Sequence, residues 1–123
     1  MGKLDGKIAV ITGGGSGIGK AIAHRFAEQG ATVVLAARDK ARLEAAASEI
    51  GGAASAISCD VSDETQVGAL FAQVDKQHGP VDILVNNAGL AAPGLTHELE
   101  LERWQEVISV NLTGAFLGSK HAL

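Results

Sequence analysis

Tyrosine is absent from this 123-residue chain, and the other aromatics are few: three phenylalanines and one tryptophan. No phenol is therefore available as a proton donor or acceptor, and the core must be built from aliphatic side chains and close backbone packing. A single cysteine, Cys59, excludes an internal disulfide framework and is in keeping with a reducing compartment. The four histidines, His24, His78, His97 and His121, lack close metal-ligand spacing, so no metal site is expected. No apolar stretch approaches the roughly 20 residues of a membrane span, and the polar start Met1-Gly2-Lys3-Leu4-Asp5-Gly6 is no secretory leader. A net charge of −4 leaves no basic footprint for nucleic acid. Together these absences predict a cytoplasmic protein with neither membrane nor nucleic acid as partner.

What is abundant is glycine, at 16 residues, and its placement is informative. The apolar run Ile8-Ala9-Val10-Ile11 leads into Thr12-Gly13-Gly14-Gly15-Ser16-Gly17-Ile18-Gly19, and a helical pattern comes next. A strand that passes through glycines into a helix is a phosphate-binding turn. Bare glycine lets a pyrophosphate approach the backbone, and the helix start aims unpaired N–H groups and a partial positive charge at it. Gly13 and Gly17 are placed where angles forbidden to other residues are expected. No Gly-Lys-Ser/Thr closes the turn, so it is not a P-loop.

The rest of the chain alternates strand and helix patterns. Strands are predicted at Ile8–Thr12, Thr32–Ala37, Ala53–Ser58 and Val81–Val85. The first helix is expected to bury Ile18, Ile22 and Phe26 and to stop at Gly30. A second carries Leu43, Ala47 and Ile50. A third, capped by Ser62, buries Val67, Leu70, Phe71 and Val74 and ends at Gly79-Pro80. A last helix is expected from about Glu98, with Trp104, Val107, Ile108 and Asn111 on one face. This alternation implies right-handed crossovers, a parallel sheet and an α/β fold, in one domain over 1–123.

Four ordered motifs extend the pattern: the glycine turn, Asp60-Val61, Asn86-Asn87-Ala88-Gly89 and Val110-Asn111-Leu112. In this order and spacing they resemble the N-terminal half of the classical short-chain dehydrogenases/reductases, from about Lys7 to His121. The resemblance implies a three-layer, doubly wound, Rossmann-like sheet of order 3-2-1-4, with ligand beyond the carboxyl ends of strands one and four. It implies nicotinamide dinucleotide binding and hydride transfer between the nicotinamide and a carbonyl or alcohol. On that resemblance Gly13, Ser16, Gly17 and Ile18 face the pyrophosphate. Asp60 and Val61 meet the adenine, and Asn87, Ala88 and Gly89 line the nicotinamide ribose, with Asn86 structural. A turn role before the helix is the other reading of Asp60.

Cofactor preference turns on the end of the second strand. An acid there binds a ribose 2′-hydroxyl, and an arginine can pair with a 2′-phosphate. Ala37 is neutral and Arg38 comes directly after it, as in NADP-preferring members, so NADP(H) is expected over NAD(H). Asp39 either caps the next helix or, if the strand runs one residue further, contacts the ribose. Of the family's Asn-Ser-Tyr-Lys set only Asn111 is present, where the resemblance implies an accessory role in holding a relay water. Buried asparagine bonded to backbone and bending the helix is the plainer reading. The chain is thus expected to be a cofactor-binding portion, apparently truncated and inactive alone. Either it pairs with itself or with a complementary fragment, or it is a non-catalytic nucleotide-binding module.

Overall fold

The computed structural model describes residues 2–123. Four strands, β1 (Ile8–Thr12), β2 (Thr32–Ala37), β3 (Ala54–Ser58) and β4 (Ile83–Val85), form one parallel sheet of order β3-β2-β1-β4. Registers run Ile8 opposite Thr32, Ala9 opposite Ile83 and Val33 opposite Ala54. β1 and β2 are continuously apolar because they are central and covered on both faces. Their residues alternate between two cores. Ala9, Ile11, Val33 and Leu35 pack beneath α1 (Gly17–Glu28) and α2 (Lys40–Ile50). Val10, Val34 and Ala36 pack beneath α3 (Glu64–Gln77) and the terminal α5 (Gly114–Ala122). The result is the expected three-layer arrangement with crossovers on both faces.

Several local expectations are corrected. Ile18 is not part of the buried stripe of α1: it is 73% exposed, because the first helical turn projects past the sheet. The buried row is set one residue later, with Gly19 and Ala23 fully covered and Ile22, Phe26 and Ala27 packed at its edge. Ser62 does not cap α3. Its hydroxyl donates to Asp60 Oδ1 at 2.6 Å, leaving Asp63 to accept from the Gln66 amide at 3.2 Å as the N-cap. Asp39 does cap α2, accepting from the Arg42 amide at 3.1 Å, and β2 ends at Ala37, before it.

β4 is shorter than expected. Beyond it the chain runs without regular structure to a single 3₁₀ turn at Thr96–Glu98, and then to α4 (Leu101–Ile108). The last helix is not continuous. A π-helical turn at Ser109–Thr113 separates α4 from α5, and Asn111 lies inside it. One extra residue in the turn shifts the helical face, so Asn111 is exposed rather than buried, and Trp104, in α4 before the turn, is 51% exposed. No helix among the described residues is long and apolar enough to cross a membrane.

Candidate dinucleotide site

At the carboxyl end of the sheet, where the chain reverses between β1 and β4, two segments face each other. The first is the glycine turn. Gly13 and Gly17 have φ of +66° and +54°, the left-handed region that only glycine enters freely. A Cβ on Gly13 would stand 2.9 Å from Asn87 Nδ2 and 3.1 Å from Ala88 Cα. A Cβ on Gly17 would meet nothing within 4 Å. Crowding against protein therefore explains Gly13, whereas Gly17 borders open space at the start of α1. Ser16, at the N-cap position, makes no capping bond with its side chain and is exposed, as are Gly17 and Ile18. Gly19 packs so tightly that a Cβ would collide with the Gly13 carbonyl and the Asn87 amide.

The second segment comes after β4, and Thr12 organises it. Buried at the end of β1, its hydroxyl accepts from the Asn87 and Ala88 amides, both at 3.0 Å, and donates to the Val85 carbonyl at 3.3 Å. Asn87 Nδ2 donates to the Gly13 carbonyl at 3.2 Å, which ties the two segments together. Asn86 is structural, as expected: its amide donates to Ser119 Oγ on α5 at 3.2 Å. Asn111 does bond to backbone, but at the surface. Its Oδ1 accepts from the Leu90 amide at 2.7 Å, and its Nδ2 donates to the Leu90 carbonyl at 2.9 Å.

Between and beside these segments lies a cavity of about 350 Å³. It brings together Gly13, Arg38, Asp60, Val61, Ala88 and Gly89, six of the expected cofactor-binding residues, with Ala37 and Asp39 beside Arg38. Ser16, Gly17, Ile18, Asn87 and Asn111 do not line it. The sequence reading missed Arg42 and Leu90 in its lining, named Val110 only as part of the Val110-Asn111-Leu112 motif, and missed the role of Thr12. Two of these left a signal. Thr12 is a polar β-branched residue ending an apolar strand, and Arg42 lies three residues after the Asp39 cap, at the same end of the sheet as Arg38.

The electrostatics divide by position. The Ser62 hydroxyl and amide, at 2.6 and 3.0 Å, hold the Asp60 carboxyl below the usual carboxylate range, and nearby Arg38 adds to this. Asp60 therefore faces the cavity ionised, and the turn role foreseen for it is realised. Burial, reinforced by the Asp60 and Asp63 charges, pushes the Cys59 thiol up to about 11, so it is a packing residue rather than a nucleophile. No group of three or more potential metal-binding side chains occurs among the described residues.

The model of the short chain dehydrogenase family matches residues 7–123. The chain belongs to that family. Among its short-chain dehydrogenase relatives, a 3beta-hydroxysteroid dehydrogenase from Mediterraneibacter gnavus is 44% identical over 120 residues, covering 94% of this chain and 44% of that protein. A 2,3-dihydro-2,3-dihydroxybenzoate dehydrogenase from Bacillus subtilis is 41% identical, covering 95% and 46%. A solved 3-ketoacyl-(acyl-carrier-protein) reductase from Brucella melitensis, complexed with NADH, superposes with a TM-score of 0.93 at 44% identity, covering 96% and 49%. An actinorhodin polyketide ketoreductase with NADPH gives 0.93 at 40% identity, covering 100% and 48%. The chain thus spans about half the length of the short-chain dehydrogenases it matches.

Proposed function

We propose that this chain is the dinucleotide-holding portion of an oxidoreductase that transfers hydride between a nicotinamide and a carbonyl or alcohol. The observation that carries the reading is Gly17. A left-handed glycine with empty space before it, at a helix start, is the cradle a pyrophosphate needs. The residues present fit that group. Ser16, Gly17 and Ile18 would lie against the pyrophosphate, Asp60 and Val61 against the adenine, and Ala88 and Gly89 against the nicotinamide ribose. When bound, the dinucleotide supplies or accepts the hydride. The chain's own part is to bind and orient it and to exclude water. Asn87 would lie beside Ala88 and Gly89 and also fixes Gly13, its Nδ2 donating to the Gly13 carbonyl.

Arg38 supports NADP(H) over NAD(H): it lines the cavity directly after β2, and the acid beside it, Asp39, has its carboxylate engaged by the Arg42 amide as the cap of α2. The two cofactor-bearing relatives carry NADH and NADPH respectively, so the preference is read from Arg38 alone. Titrating both dinucleotides against the purified chain tests the reading. Micromolar or tighter binding of either supports it, and binding of neither overturns it.

The proton that accompanies the hydride needs a group these 123 residues do not provide. With no tyrosine, and with Asn111 unable to ionise near neutral pH, the chain alone is proposed to bind without turnover. Reproducible carbonyl reduction by the purified chain would contradict this. The proposed setting is the cytoplasm. The proposed partner is a second copy or a complementary segment, because β4 is an edge strand of the sheet and Leu101, Trp104, Leu112 and Phe116 are exposed on α4, the π turn and α5. Light scattering over a concentration series that shows only monomer would refute the partner.

A further inference from the structure

The segment from Ala88 to Gly94 forms no backbone–backbone hydrogen bond among the described residues. Side chains from elsewhere hold it. Thr12 takes the Ala88 amide and Asn111 takes both backbone groups of Leu90. The remaining anchor is Arg103 on α4, whose Nη2 donates to the Ala91 carbonyl at 2.7 Å. Its Nη1 donates to Glu106 Oε2 at 2.9 Å, one turn further along the helix. The guanidinium is thereby aimed at the loop by a carboxylate and is not a free surface charge. Two of the residues so restrained, Ala88 and Leu90, line the cavity, as does Gly89 between them.

We propose that Arg103 is a positioning residue for the nicotinamide side of the dinucleotide site. It acts through the Ala91 carbonyl. Fixing Ala91 and Leu90 from the α4 side sets the wall formed by Gly89 and Leu90, so the loop is already ordered when the ligand arrives. Arginine suits the task because its planar fork serves the carbonyl and Glu106 at once, whereas a lysine ammonium is a single point charge on a flexible stem. The proposal rests on the dinucleotide-holding function proposed for this site.

The test compares wild type, Arg103→Met, Arg103→Lys and Glu106→Ala, each titrated with NADPH and NADH and monitored by amide exchange in the free state. Arg103→Met is expected to speed exchange at the Leu90 amide, the bonded amide next to Ala91, and to weaken dinucleotide binding about tenfold, the loss expected for a charge-assisted bond. Arg103→Lys recovers part of both effects. Glu106→Ala, which keeps the guanidinium but frees it, gives a smaller change in the same direction. Exchange and affinity in Arg103→Met within twofold of wild type overturn the proposal. So does an Arg103→Lys variant no better than Arg103→Met, or faster exchange spread over the whole chain with no excess in the loop. A wild-type chain that binds neither dinucleotide defeats the functional reading and this role together. A wild type that binds, beside an Arg103→Met chain that binds equally well, defeats this role alone.

Discussion

The two segments that border the candidate site are fixed in opposite ways. The Gly13–Gly19 turn is shaped by its own backbone: two left-handed glycines, and a third packed where no Cβ fits. The loop after β4 has one positive-φ residue, Gly94, near its far end, and otherwise borrows its shape. Its anchors Thr12, Arg103 and Asn111 come from a strand, a helix and a π turn, the nearest of them 12 residues away in sequence. A turn fixed by backbone preference tolerates changes around it and fails when its own glycines change. A loop fixed by borrowed hydrogen bonds fails through residues it does not contain.

Substitutions separate the two regimes, and the largest effect is expected at Gly19. Alanine there must displace the Gly13 carbonyl and the Asn87 amide together, so Gly19→Ala should cost about 3 kcal/mol of stability. A thermal melt checks this, and a melt unchanged from wild type would show that the turn is more pliant than its packing indicates. Thr12→Val is the counterpart for the loop. It keeps the shape but strands the Ala88 amide and leaves the Asn87 amide to the Val85 carbonyl alone, for a cost of about 2 kcal/mol, with exchange rising first at Ala88.

Gly17→Val sharpens the comparison within the turn, because a Cβ at Gly17 meets no protein atom within 4 Å. The expected stability loss is limited to about 1–2 kcal/mol of left-handed strain, while dinucleotide binding is abolished. A folded variant that still binds would remove Gly17 from the site. Arg38→Ala should leave the melt unchanged and lower NADP(H) affinity by about 1.5–3 kcal/mol, with NAD(H) affinity unaffected. Equal losses for both dinucleotides would remove the 2′-phosphate from the argument.

The smallest effect at neutral pH concerns Cys59. Its thiol is pushed from 9.0 up to about 11 in the folded chain, so the folded state favours the neutral form. In that window the unfolded chain loses its proton first, and stability falls as pH rises from about 9 towards 11. Below pH 9 the thiol contributes no pH dependence. A thiol reagent at pH 8 should therefore react with Cys59 only as fast as the chain opens. Rapid labelling of the native chain would contradict its burial.

Legibility divided along the same line. All four strands, the sheet order and the glycine turn could be read from apolar runs, turn residues and the order of the motifs, because each depends on local chemistry or family pattern. Asp39 as a cap was among the readings, since capping needs only the residue and the amide three places on. Ser62 misled for a tertiary reason: Asp60 turns back on it, and its hydroxyl is committed before the helix begins. Ile18 misled because periodicity defines a row on a helix but not where the sheet beneath it ends. The role of Arg103 was not legible at all, because nothing near it in sequence pointed to Ala91, 12 residues away.

The sequence by itself determined which segments become strands and helices and where the backbone must turn left-handed. Apolar runs, caps and glycines act over a few residues, and their energies are decided locally. Only the tertiary structure decided which side chains hold the β4 loop, that the last helix breaks into a π turn at Asn111, and that Arg38, Asp60, Ala88 and Gly89 line one cavity. Those outcomes require groups remote in the chain to satisfy one another's hydrogen bonds, and that depends on how the crossovers pack on the two faces of the sheet.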